Sequence, residues 1–255
     1  MASDFIVVGG GLVGASVAYG LLKSGATVTV LDEGDTAFRA SRGNFGLVWV
    51  QSKGDGMHEY AAWSRESSDL WPDFAERLGE ETGINVGHHR PGGLELCLDE
   101  AEYKDFENSI NRMHNQPSVG ENGRRMLSGD EVRRMEPSVG PEVVGASYCP
   151  YDGIVNPLYT LRALHQKCIE TGMIYRSDHI VEKIIPQSPG FKVITSKGDF
   201  IGDKLILAAG NGNRNLGECV GLNIPTGPER GHIVVTERTS PLFNYVLGSI
   251  RQTDE

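Results

Sequence analysis

The chain has no run of about eighteen consecutive apolar residues, the length an α-helix needs to span a bilayer. Its first apolar strand pattern starts at Phe5, which leaves no room for a secretory leader ahead of it. The four cysteines (Cys97, Cys149, Cys168, Cys219) contain no C-x-x-C pair. No metal cage or redox dithiol is therefore expected, and the cysteines read as free thiols in a reducing compartment. Positive charge is also scarce: 34 acidic residues against 24 lysines and arginines give a net charge of −10, with no electrostatic footprint for nucleic acid or an anionic membrane. Internal repeats, low-complexity tracts and long linkers are missing as well. These absences lead one to expect a cytoplasmic globular chain, for which the one route left to a membrane is peripheral, through a partner. Its 255 residues suffice for one large domain or two modest ones.

What is present begins at once. Phe5 to Val8 reads as an apolar strand, Gly9 to Gly14 as a glycine turn, and Ala15 to Leu31 as a helix, a Gly25 stop and the buried strand Ala26 to Leu31, with Asp32 at that strand's C-terminal end. In the G-x-G-x-x-G spacing, Gly9 permits the tight strand-to-helix turn. Gly11 lets the backbone approach a diphosphate, and Gly14 lets helix and strand pack closely. The helix opening at Leu12 and Val13 directs unpaired N–H groups and its positive dipole end at phosphates. Asp32 is placed to accept from ribose hydroxyls and would repel a 2′-phosphate, so NADP is disfavoured and NAD or FAD remains.

Further along, Leu47 to Val50 predicts a short strand, and Met57 to Thr82 a helix in which Pro72 suggests a kink or break, with Gly83 as its stop. Gly92 to Leu98 alternates as a half-buried strand, and Asp99 to Met113 is a helix with an acidic first turn. Ser128 to Met135 is a short helix, with Ser128 as N-cap and Glu131 at the reciprocal capping position. Pro137 to Pro157, rich in Gly and Pro, predicts surface strands and turns, with a turn signal at Tyr151-Asp152-Gly153. Leu158 to Thr171 is an amphipathic helix. An edge strand near Ile174, a hairpin from His179 to Thr195 around Pro189-Gly190, and strands at Lys204 to Ala209 and Ile233 to Thr236 follow.

The order of several short motifs resembles the FAD-dependent amino-acid and amine oxidoreductase family that includes glycine oxidase, sarcosine oxidase and D-amino-acid dehydrogenase. They are Val7 to Gly14, Ser41-Arg42-Gly43-Asn44-Phe45-Gly46, Arg90 to Leu94, Asp152 to Pro157, Leu207 to Asn211 and Arg230 to Thr236. Ser41 to Gln51 is similar to the flavin subunits of opine oxidase and hydrogen cyanide synthase. The resemblance implies an α/β fold: a Rossmann-like FAD-binding domain split in sequence (1–85 and 150–220), with an inserted, incomplete antiparallel-sheet substrate domain of α+β type (86–149 and 221–255). FAD is the implied cofactor. Asp32, with Glu33 beside it, would meet the adenosine ribose, and Ser41, Asn44, Phe45 and Gly46 the flavin. The Val181 backbone would meet the adenine, and Ala208 to Gly210 would approach from beneath.

The implied reaction oxidises the C–N bond of an amino acid or opine by hydride transfer from carbon to flavin N5, after which the imine hydrolyses. Arg251 is the candidate fork for the substrate carboxylate, and His58, with Tyr60, the candidate group facing the ring. Relatives continue for roughly a further half-domain, so the chain reads as a partial version of the fold. Two rivals accompany this reading. One is a catalytically inactive FAD-binding or assembly module, and the other an NAD-dependent dehydrogenase, against which the irregular stretch after Asp32 argues. In the favoured reading, other subunits of a hetero-oligomeric dehydrogenase are possible partners.

Overall fold

The computed structural model describes residues 3–34, 39–117 and 123–249. In chain order the elements are β1 (Ser3–Val8), α1 (Leu12–Lys23), β2 (Val28–Leu31), β3 (Leu47–Val48), α2 (His58–Thr82), β4 (Gly93–Cys97), α3 (Glu100–His114), β5 (Arg125–Ser128), α4 (Gly129–Met135), β6 (Gly145–Cys149) and β7 (Gly153–Ile154). They continue with α5 (Pro157–Glu170), β8 (Ile174–Arg176), β9 (Val181–Pro186), β10 (Phe191–Thr195), β11 (Gly198–Leu207), α6 (Asn213–Glu218) and β12 (Val246–Gly248). No described helix is long and apolar enough to cross a membrane.

The chain divides into two compact units. The first comprises Met1–Phe45, Arg77–Val86 and Pro157–Val234. Its six-stranded sheet has the order β8-β2-β1-β11-β10-β9. β1 runs parallel to β2 and β11, β2 runs parallel to β8, and β10 is antiparallel to both of its neighbours. The parallel strands β1 and β2 are near-continuous apolar runs because both of their faces are covered. Ile6, Val8, Leu31 and Val193 form one buried cluster, against which Phe200, Leu205 and Leu207 pack. Pro186, which has no N–H to donate, ends β9 at the sheet's edge.

The second unit comprises Gly46–Glu76, Gly87–Asn156 and Val235–Glu255. Its four-stranded sheet has the order β12-β4-β6-β5, antiparallel except where β12 runs parallel to β4. Leu94, Leu127, Val132, Val139, Val143 and Ala146 form its core. β3 pairs with β7 in a separate antiparallel ladder. The α4 capping box forms as read: Ser128 Oγ accepts from the Glu131 N–H while the Glu131 carboxylate accepts from the Ser128 N–H at 2.8 Å.

Three local expectations differ from the structure. Pro72 neither breaks nor ends α2, which continues to Thr82. The Gly- and Pro-rich stretch 137–157 is not mainly surface: β6 is an inner strand, buried at four of its five positions. Its small residues are required by close neighbours, since a Cβ on Gly145 would lie 2.5 Å from both the Leu127 carbonyl oxygen and the Tyr103 ring. Ile233 to Thr236 is not a strand, and Val234 and Val235 are each 88 % exposed. A β-branched run favours a strand only where a half-buried pleated surface exists to receive it.

Candidate dinucleotide site

The first unit's glycine turn is shaped by contacts that exclude side chains. Gly9 has φ +106°, and a Cβ there would lie 2.3 Å from the Ala208 carbonyl oxygen, where β1 and β11 end side by side. A Cβ on Gly14 would lie 1.9 Å from the Gly9 carbonyl oxygen, so this glycine is what allows α1 to pack against the turn. Gly11 is the N-cap of α1 with extended backbone, and a Cβ on it would meet Ser41 Oγ at 2.6 Å. That hydroxyl accepts from the Leu12 N–H at 2.9 Å, so Ser41 caps a helix that has no side-chain cap of its own. Val13 is exposed beside it.

Asp32 follows β2 and is 5 % exposed. Its Oδ2 accepts from the Gly10 N–H at 2.7 Å and its Oδ1 from the Gly34 N–H at 2.9 Å. Arg39 Nη1 bridges both oxygens at 2.9 and 2.8 Å. Glu33 is exposed and pairs with Arg39 Nη2 at 3.3 Å. The acid thus ties the strand end, the glycine turn and the following loop together. Helix α5 contributes a second brace: His165 Nε2 lies 2.7 Å from the Gly10 carbonyl oxygen, which can only accept, so this nitrogen carries the proton. The Tyr175 ring lies so near Gly10 that a Cβ there would approach within 2.9 Å.

Around these groups opens a cavity of about 590 Å³, lined among others by Gly10, Gly11, Asp32, Arg39, Ser41, Arg162 and His165. This is the size range of small-molecule and cofactor sites. A glycine turn that a Cβ would fill, a buried carboxylate at the next strand end and arginines on the rim fit a dinucleotide. Arg39, Arg162, His165 and Tyr175 escaped the sequence reading. The only signal for them was chemical type, since nothing in their spacing marks them.

The remaining expected residues have the following surroundings. The Asn44 side-chain amide donates to the carbonyls of Ala40 and Ser41, and Phe45 is 67 % exposed. Gly46, with φ +77°, accepts from the Val155 N–H at 2.8 Å in the second unit. Val181 begins β9 and is half-buried; Ala208 donates its N–H to the Val8 carbonyl, and Gly210 has φ +57°. His58 opens α2 in the second unit, where its Nδ1 lies 3.1 Å from Glu59 Oε2. Arg251 lies outside the described residues. The four cysteines are free, and burial pushes the thiols of Cys97 and Cys149 up to about 12 and that of Cys168 to about 11, so these three are not thiolates at neutral pH.

The second unit holds a buried polar network that sequence reasoning missed. Asp152, read as a turn residue, is fully buried and accepts from the Val50 N–H (2.6 Å), the Gln51 N–H (3.3 Å) and Gln51 Nε2 (2.6 Å). Ser147 donates to Gln51 Oε1 and accepts from Arg124. Glu95, 4 % exposed, is hydrogen-bonded by the Trp49 side chain, but its Oε2 is buried with no hydrogen-bond partner among the described residues. Burial pushes both carboxyls up to about 6.

Residues 4–253 match the family described as DAO, FAD dependent oxidoreductase, and the chain belongs to that family. Among its relatives is one of the subunits of opine oxidase from Rhizobium meliloti, 38 % identical over 256 aligned residues, which cover 99 % of this chain and 68 % of the relative. Glycine oxidase of Geobacillus kaustophilus (strain HTA426) is 29 % identical over 94 % of this chain and 63 % of its own length. The crystal structure of glycine oxidase from Geobacillus kaustophilus superposes with a TM-score of 0.82 at 24 % identity, covering 97 % of this chain and 66 % of that one, so the fold is shared. The chain therefore spans about two thirds of the length of these relatives. The cofactor of the family is FAD, which decides between the two dinucleotides the turn allowed and sets aside the NAD-dependent alternative.

Proposed function

We propose that this chain works with FAD to oxidise the carbon–nitrogen bond of an amino acid or opine, whose imine product hydrolyses in water. The observation that carries the reading is the braced turn of Gly9, Gly11 and Gly14 beside the buried Asp32, in a chain of an FAD-dependent oxidoreductase family. When bound, FAD supplies the two-electron acceptor. The first unit serves as a Rossmann-like FAD-binding domain split in sequence and the second as an inserted substrate domain.

The chain's own residues bind and orient. The glycine turn at Gly11 and the first residues of α1, Leu12 and Val13, take the diphosphate. Asp32 and Glu33 serve the ribose end. Ser41, Asn44, Phe45 and Gly46 take the flavin side, Val181 the adenine, and Ala208 and Gly210 the underside. Amino acids and opines both present a carboxylate beside an amine, which suits an arginine fork; Arg251 is assigned that role and His58 the position facing the flavin ring. Association with other subunits, as the name of the Rhizobium meliloti relative suggests for that protein, belongs to the same proposal.

The test is to purify the protein, record its flavin absorbance, and screen amino acids and opines for anaerobic bleaching. Gly11→Leu should lose FAD, because the added side chain would meet Ser41 Oγ and fill the diphosphate's approach. Folded Gly11→Leu protein with undiminished flavin content would sink the reading.

A further inference from the structure

Resting on the assignment of FAD to the first unit, a second role emerges for the residue that pairs with the buried acid. A carboxylate offers about four acceptor positions. Asp32 already uses four: the Gly10 amide, the Gly34 amide, and Arg39 Nη1 on each oxygen. A ribose that donates from its hydroxyls needs some of these positions. The two amides belong to the main chain of the turn and of the segment after β2, so they stay. The guanidinium sits on a long side chain with several rotatable bonds, and it is the partner able to leave.

Two observations bear on how that pose could be given up. Arg39 Nε is buried without a hydrogen-bond partner among the described residues, a loss that the remaining contacts must offset. Arg39 Nη2, which also donates to the Gly34 carbonyl oxygen, already touches the exposed Glu33 carboxylate at 3.3 Å. A second acid therefore stands ready to receive the guanidinium on the solvent side. We propose that Arg39 and the cofactor's ribose compete for Asp32, so that the adenosine end of FAD binds by displacing the guanidinium onto Glu33. Arg39 is then a positioning residue that keeps the turn assembled while the site is empty, and it sets how tightly the adenosine end is held.

Apparent affinity falls by the fraction of molecules in the competent state. If the pair is formed in about nine molecules of ten, removing it should strengthen binding about tenfold. The experiment follows quenching of FAD fluorescence by the apoprotein in stopped flow and at equilibrium, for the wild type and Arg39→Met. Faster association and an approximately tenfold lower Kd are expected for the variant. Binding that is unchanged or weaker would overturn the proposal, the weaker case showing that the guanidinium contacts FAD directly. Should Arg39→Met fail to fold, Arg39→Lys keeps the charge without the planar fork, and faster association is again expected; unchanged or slower association overturns the proposal. Failure of the wild type to bind FAD at all would instead bring down the functional assignment, and this inference with it.

Discussion

Glu95→Gln should flatten the pH dependence of the second unit's stability. Glu95 faces Arg124 and Lys53, which attract it, Asp152, which repels it, and the Trp49 side chain that donates to it; desolvation outweighs these and raises its carboxyl from 4.5 to about 6. Because the folded value is the higher one, the folded state binds more protons than the unfolded chain between those values. Stability from this group is complete below about pH 4.5 and is lost as pH rises through 6. A shift of about 1.5 units corresponds to about 2 kcal/mol. In a chain of this size that is about 4–8 °C in Tm. All three tryptophans, Trp49, Trp63 and Trp71, lie in the second unit, so intrinsic fluorescence reports its unfolding. Urea titrations of the wild type and Glu95→Gln at pH 4 and pH 7 should differ in their pH-dependent change by about 2 kcal/mol, with the variant losing less on going to pH 7. Parallel behaviour of the two proteins would refute the argument that Glu95 holds a proton in the folded state.

Gly14→Ala puts a methyl group 1.9 Å from the Gly9 carbonyl oxygen; overpacking of this kind costs about 1–3 kcal/mol, and thermal unfolding together with flavin content should both fall. Asp152→Ala strips three donors of their acceptor, the amides of Val50 and Gln51 and the Gln51 side chain. A loss of about 3 kcal/mol in the second unit, read by tryptophan fluorescence, is expected. Ser128→Ala removes one half of the α4 capping box, for a loss of about 1 kcal/mol in urea unfolding, with no change in FAD binding, since α4 belongs to the second unit.

The elements that could be read from the sequence are those whose cause lies within a few residues. The glycine spacing and the α4 capping box each depend on neighbours two to five positions apart, and each forms as the spacing demands. The strand expected at Ile233 to Thr236 fails for the complementary reason: its β-branched residues supply local preference, while pairing needs a partner that no local pattern can guarantee. β11 shows the reverse case. Its first half, Gly198 to Asp203, holds only the adjacent apolar pair Phe200 and Ile201 and no alternating pattern, yet it is a strand because β10 pairs along it from Gly198 to Gly202.

The two buried aspartates make the same division at the level of chemistry. Asp32 was legible because strand, turn, helix and strand place a carboxylate at the end of β2 whatever the rest of the chain does. Its saturation by Arg39 was not legible, because a guanidinium seven residues away can point anywhere until the loop is folded. Asp152 stands beside a glycine and reads as a turn acid. It becomes the acceptor for three donors only because β3 pairs with β7, which brings Val50 and Gln51 to it across about a hundred residues of sequence. Once there it is fully buried, and the same desolvation that hides it from sequence patterns raises its carboxyl to about 6. A carboxylate's local spacing can therefore announce where on the sheet it stands, but the groups that surround it, and with them its availability, are set by tertiary contacts alone.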